Sequence, residues 1–428
     1  MSLLWLMLVL FACLFIGVPV AIALGLASIT TLLLFTDHSL ISLAQRFFYT
    51  MQVYPLLAIP FFILAGSFMA TGGVAQRMID FANALVGHFR GGLAMAALLA
   101  CALFASVSGS SPATVVAVGT IMIAGMVASG YRREFAAGLI CNAGTLGILI
   151  PPSIVLVVYG AVTETSIGNL FIAGFVPGLV LMLALMGVVA VRARRENLPR
   201  QSRASFAVVL KTGRDAIWGL LLVAVILGGI YLGAFTPTEA AAVAAVYALI
   251  VAVFVYRDMG LRDVPKVLVD SARVTAMLMF IIANAFIFAF VLTTEQIPQG
   301  VSTWIIDLGL PPWAFLLALN LLMLVAGNFI EPASVILILA PIMFPIATAL
   351  GVHPVHLGII MTVNMEIGMV TPPVGLNLFV TAGVARMDVG QVVRAALPWL
   401  MVLIAVLLLI TYVPAISLAL PGWLGLLD

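Results

Sequence analysis

Long runs of Leu, Ala, Val and Ile that are almost bare of charge constrain this chain more than any motif in it. Only 8% of its 428 residues are charged and 64% are hydrophobic, whereas a soluble domain covers its surface with about a quarter charged residues. Lipid must therefore surround most of the chain. A hydrocarbon core about 30 Å thick takes roughly 20 apolar residues per helix, which leaves room for around ten crossings. Backbone groups in lipid must pair internally, so only helices and closed barrels can span it. The runs lack strand-like alternation, and the sequence predicts an all-α polytopic membrane protein.

The apolar start from Leu3 has no Lys or Arg ahead of it, as a secretory signal would, and reads as a retained helix. Cys13, Cys101 and Cys141 lie within apolar runs without metal-like spacing and read as small core residues. A formal net charge of +2 implies no nucleic-acid partner.

The apolar segments are 3–18, 20–36, 54–71, 92–128, 135–162, 168–191, 216–235, 237–256, 274–293, 312–350, 356–384 and 392–416. Segments 92–128 and 312–350 are broken near their middles by polar residues and are expected to be re-entrant hairpins, although two full crossings each would leave parity and charge placement unchanged; 135–162 and 356–384 are expected to be broken helices. This divides the chain into 1–191, a basic linker 192–215, and 216–428, with five crossings and one hairpin in each half. With the N-terminus outside, 17 of the 18 Lys and Arg fall in the cytoplasm and only Arg46 lies outside, the orientation that the positive-inside rule selects. The linker holds seven of these charges and reads as a cytoplasmic anchor. Trp5, Trp218, Trp304, Trp313 and Trp423 sit near segment ends, as interfacial aromatics do.

The punctuation of the first half recurs in the second. Pro19 is matched by Pro237, Pro112-Ala113-Thr114 by Pro332-Ala333-Ser334, Gly147 by Gly368, Pro151-Pro152 by Pro372-Pro373 and Asn142 by Asn364. Five crossings is an odd number, so the second half enters from the opposite side. That is the inverted repeat of many secondary transporters, which bind substrate and ions near the midplane. The amphipathic stretches Val74–His88 and Gln296–Asp307 are expected on the membrane surface, each leading into a hairpin.

Polar residues inside lipid are costly and mark function. Four clusters occur here: Ser106–Thr114, Asn142–Ser153, Gly327–Ser334 and Asn364–Asn377. Each combines Gly and Pro, which open a helix, with Ser, Thr or Asn oxygens. Broken helices at membrane depth are tolerated where they line a cavity. Freed carbonyls there suit Na⁺, and the positive N-terminal ends of half-helices suit a carboxylate. Glu331 and Glu366 have two readings, cation or proton handling and scaffold pairing; Glu366 leans to the scaffold. Glu239 reads as a helix cap. His38, His88, His353 and His356 fall in predicted loops or interfacial segments, without the ligands of a metal site.

No nucleophile–base pair lies at depth for a hydrolase, and no G-x-x-x-x-G-K-[ST] loop is present for an ATP-driven pump. The chain is expected not to be an enzyme and to need no cofactor beyond a coupling ion. Paired broken helices fit alternating access better than a channel.

At these clusters the sequence resembles the large membrane subunit of tripartite ATP-independent periplasmic (TRAP) transporters. The resemblance covers essentially the whole chain. It is carried by Leu57–Gly66 (LAIPFFILAG), Ser108–Thr114 (SGSSPAT), Ala143–Ser153 (AGTLGILIPPS) and Asn364–Asn377 (NMEIGMVTPPVGLN). It implies an ion-transporter-like fold of elevator type in a bacterial inner membrane, with a periplasmic N-terminus. It also implies import of a small organic acid by Na⁺ symport, a separate small four-helix membrane subunit, and a periplasmic substrate-binding protein. The start at Met1 suggests the unfused form of the large subunit. Carried over by cluster, Ser106, Ser108, Ser110, Asn142 and Gly147 would serve a first Na⁺ site, and Gly327, Asn328, Gly368 and Thr371 a second. Ser111, Thr114, Thr145, Ser334 and Asn364 would face substrate. The nearest rival is a one-component Na⁺/dicarboxylate symporter that works without a binding protein.

Overall fold

The computed structural model describes residues 2–36, 40–297, 299–300, 303 and 309–427. Among them every regular element is helical. Among the described residues, nine helical stretches are long and apolar enough to cross a membrane, and the shorter helices Ser2–Phe15, Val20–Phe35, Gly92–Ser108, Pro312–Gly327, Pro354–Gly368 and Leu376–Ala385 account for the remaining predicted segments. The all-helical reading therefore stands on structure, and the membrane crossing on helix length and apolar composition.

Both long segments with polar middles are helix–break–helix units. Gly92–Ser108 is followed by Ser111–Ala128, and Pro312–Gly327 by Pro332–Ala349. The first tip touches Gly147 and Pro152, which lie midway along the 31-residue stretch Arg133–Thr163. The second tip meets Gly368, where the helix Pro354–Gly368 stops before Leu376–Ala385 resumes the span. Pro151-Pro152 and Pro372-Pro373 are both cis peptide bonds, so the halves share this backbone feature.

Several helices run past their apolar segments, because apolar length reports lipid thickness while helix length follows propensity. Ile167–Arg195 continues into the basic linker, and Phe206–Tyr231 starts within it behind a Ser205 cap. Of the expected linker 192–215, only 196–205 is therefore non-helical. Of the two amphipathic stretches, the first is the helix Val74–Val86, with Val74, Ala75, Met78, Ile79 and Ala82 buried. It packs against Gly92–Ser108 and Phe206–Tyr231. The second lies mostly outside the described residues, Trp304 and Asp307 included. Glu239 completes a capping box with Thr236.

One histidine departs from expectation. His356 is buried rather than interfacial, with Nε2 3.3 Å from the Thr411 carbonyl oxygen. Pro354 starts its helix early, which tucks the first turn against the end of Val389–Tyr412. His38 lies outside the described residues.

Candidate functional site

The first hairpin turns at Gly109, whose φ of +59° few other residues adopt. A Cβ at that position would also stand 2.8 Å from the Pro152 carbonyl oxygen. Ser110 opens the returning arm without a side-chain cap, so the first-turn N–H groups of Ser111–Ala128 keep the partial positive charge of a helix start. Thr114 instead stiffens the turn. Its hydroxyl donates to the Ser110 carbonyl at 2.9 Å and meets Ser108 Oγ at 3.0 Å.

The second tip is built differently. Glu331 caps Pro332–Ala349, one carboxylate oxygen accepting from Ser334 N–H at 3.1 Å and from Ser334 Oγ at 3.2 Å. This is the scaffold arrangement of the two open for Glu331.

The broken helices meet these tips through glycines. A Cβ on Gly147 would lie 2.7 Å from the Ser110 carbonyl oxygen and 2.9 Å from Thr114 Oγ1. A Cβ on Gly368 would lie 2.7 Å from Gly327 Cα and carbonyl carbon. In the first break, Thr145 Oγ1 donates to the Asn142 carbonyl at 2.7 Å, and Ser153 caps the continuation Ile154–Thr163. In the second, Thr371 Oγ1 donates to the Ile367 carbonyl at 2.6 Å. Asn377 Nδ2 reaches across to Ser111 Oγ at 2.6 Å, tying the second break to the first hairpin. Asn142, Asn328, Asn364 and Asn377 each keep a buried Oδ1 without a donor among the described residues. Glu366 is fully buried against the Leu149 backbone.

A cavity of about 320 Å³ lies where tips and breaks converge. Ser108, Ser110 and Ser111 line it from the first tip, Glu331 and Pro332 from the second, and Ile148, Met369 and Leu376 from the two breaks. Gly66 and Ser67 close it from the helix Ala58–Thr71, and Met277 from Val264–Thr294. A larger cleft of about 730 Å³ lies beside the Arg77–Asp258 ion pair. It holds none of the four polar clusters, so the smaller cavity is the candidate site.

Of the residues singled out from sequence, Ser108, Ser110 and Ser111 reach this cavity. Thr114, Thr145, Asn142, Asn364 and Ser334 are fully buried and are not among its lining residues. Gly147, Gly327 and Gly368 bring the tips and breaks into contact. Ser106 faces elsewhere: it lines a separate, mostly apolar cavity with Ile150 and Leu220, and its hydroxyl donates to the Leu103 carbonyl at 2.6 Å. Sequence reasoning left Glu331 undecided and missed Ser67 and Asn377 as participants. Asn377 had the signal of closing the fourth cluster; Ser67 stands in an otherwise apolar helix beside Gly66.

The family described as "Tripartite ATP-independent periplasmic transporter, DctM component" matches residues 7–416. The chain is 65% identical over 404 residues to the C4-dicarboxylate TRAP transporter large permease protein DctM of Pseudomonas aeruginosa, covering 94% of this chain and 95% of that protein. It is 56% identical to the protein of the same description in Vibrio cholerae serotype O1, covering 95% and 94%. Among solved structures, MtrF of Neisseria gonorrhoeae, described with a class of antimetabolite efflux pumps, superposes at a TM-score of 0.62 over 87% of this chain and 83% of that one. At 14% identity that likeness is one of fold alone.

Proposed function

Because the chain belongs to the DctM component of tripartite ATP-independent periplasmic transporters, the large permease subunit of a secondary organic-acid transporter, we propose that it carries a C4-dicarboxylate inward by Na⁺ symport. In this reading a periplasmic substrate-binding protein delivers the acid. A small four-helix subunit accompanies the permease in the bacterial inner membrane, with the permease N-terminus periplasmic. The choice of C4-dicarboxylate rests on the names of relatives 65% and 56% identical to this chain.

The observation that carries the proposal is the cavity between the tips, where three serines surround an uncapped helix N-terminus. Such an end attracts a carboxylate through free N–H groups and the helix dipole. Ser111 is the direct substrate contact. Thr114, Thr145 and Ser334 hold the tips and the first break in shape around it. For the ions, the Asn142 oxygen, the Ser110 carbonyl against Gly147 and the Ser108 hydroxyl supply a first set of hard oxygens; Ser106 is remote from this set. Gly327, Asn328, Gly368 and Thr371 supply a second. Na⁺ accepts such neutral oxygens without needing a carboxylate. Both hairpins then travel with the broken helices as one body past the remaining helices, an elevator movement.

The test is solute uptake into proteoliposomes holding this subunit and its small partner, supplied with binding protein loaded with succinate, fumarate or malate. Uptake is expected only with both the binding protein and an inward Na⁺ gradient. Uptake without binding protein would point to a one-component symporter instead. Ser108→Ala is expected to lower uptake and raise the Na⁺ needed for half-maximal rate by about fivefold, the equivalent of losing one oxygen contact worth ~1 kcal/mol. An unchanged Na⁺ dependence would remove the Ser108 hydroxyl from the ion site.

A further inference from the structure

The second broken helix contains an amide whose orientation is fixed both by its own helix and by neighbours from two others. Asn364 is fully buried, and its Nδ2 donates to the Ile360 carbonyl and to Asn320 Oδ1, each at 2.8 Å. A backbone carbonyl can only accept, so nitrogen and oxygen of Asn364 cannot exchange places. Asn320 is locked in turn: its oxygen serves Asn364, and its Nδ2 donates to Thr411 Oγ1 at 3.0 Å. Asn320 and Thr411 are themselves buried, on Pro312–Gly327 and Val389–Tyr412.

The first half repeats the pattern. Asn142 Nδ2 donates to the Gly138 carbonyl four residues back, at 2.8 Å, and to the Ala396 carbonyl at 3.4 Å. Ala396 lies on the same helix as Thr411. In both halves the amide hydrogens are used up by protein, and the Oδ1 is left buried without a donor among the described residues. A carboxylate requires N–H or O–H donors. These amides have none left, and what each offers is an oxygen dipole.

We propose that Asn320 and Thr411 are positioning residues that turn the Asn364 oxygen toward a coupling cation, making Asn364 the second-half counterpart of Asn142 and not a substrate contact. The proposal rests on the Na⁺-coupled reading above. One helix, Val389–Tyr412, thereby orients an ion-facing amide in each repeat, through a backbone carbonyl at Ala396 and a hydroxyl at Thr411.

The test uses the large and small subunits together in proteoliposomes with loaded binding protein, titrating Na⁺ and substrate separately. Asn320→Leu, near-isosteric but unable to accept from Asn364, is expected to raise half-maximal Na⁺ about tenfold while leaving the KM for loaded binding protein within about twofold. Thr411→Val should shift half-maximal Na⁺ about threefold, and it carries the test if Asn320→Leu does not fold. Asn320→Asp keeps an acceptor for Asn364 and can take the Thr411 hydroxyl hydrogen, so Na⁺ dependence should return to within about threefold of wild type. Asn284→Leu removes another buried amide, one bonded to the Phe280 carbonyl on Val264–Thr294, and should leave Na⁺ dependence unchanged. A rise in substrate KM at constant Na⁺ dependence would return Asn364 to the substrate, and an equal Na⁺ shift in Asn284→Leu would reduce the effect to packing. Uptake by the wild type that ignores Na⁺ would instead defeat the Na⁺-coupled reading, and this proposal with it.

Discussion

Gly368→Val is expected to abolish uptake, and Gly368→Ala to reduce it to about a hundredth of wild type, the scale of loss that a displacement near 1 Å produces in a preorganised site. A Cβ on Gly368 would lie 2.7 Å from Gly327 Cα and carbonyl carbon and 2.8 Å from its oxygen. The obstacle is backbone and cannot rotate aside, so hairpin and broken helix must separate. Overpacking of this kind costs about 1–3 kcal/mol, which a membrane protein of this size tolerates while losing the geometry of the tips. Gly383→Ala is the control, because a Cβ there meets nothing within 4 Å. Initial uptake rate at saturating Na⁺ and the melting temperature of the purified protein separate lost geometry from lost fold. Wild-type uptake by Gly368→Val would mean that the second tip does not depend on this contact. Gly147, pressed against Ser110 and Thr114, is expected to behave in the same way.

What the sequence made legible follows from what lipid demands. Spans were readable because long, mostly apolar stretches, found within helices of 18–31 residues among those described, have few alternatives to a membrane helix. The breaks were readable because Gly, Pro, Ser and Asn at depth contradict their surroundings, as at Ser108–Pro112 and Gly368–Pro373. Partners across the chain were not. Asn320 is a lone amide in an apolar helix, and its role depends on Thr411, 91 residues away, and Asn364, 44 residues away. No local period or motif encodes such a meeting. The same limit hid the surroundings of a side chain within a cluster: Ser106 belongs to the first cluster by sequence, yet lines a different cavity from Ser108 and Ser110. Burial of His356 was equally hidden, since it depends on a helix end that arrives 55 residues later.

The two tips differ in one further respect that mutation can expose. The first returning arm starts uncapped at Ser110, while the second is capped by Glu331, the one charged lining residue of the cavity among those described. An anion seated at the first tip would find its counterpart already filled by a protein carboxylate. One half would then be left to bind substrate and the other to close over it. Both hydrogen bonds of Glu331 go to a single oxygen, which the amide oxygen of glutamine can replace. Glu331→Gln is therefore expected to transport within about threefold of wild type with the same pH profile, because the cap survives. Glu331→Ala loses the cap, about 1 kcal/mol, and lets Ser334 and its N–H drift at the tip. Uptake should fall by about tenfold or more, since tip geometry and not bulk stability is what fails. The comparison also decides between ions. If Glu331→Gln loses transport as Glu331→Ala does, the carboxyl proton or charge is itself part of the cycle, and coupling to protons replaces coupling to Na⁺ at the second tip.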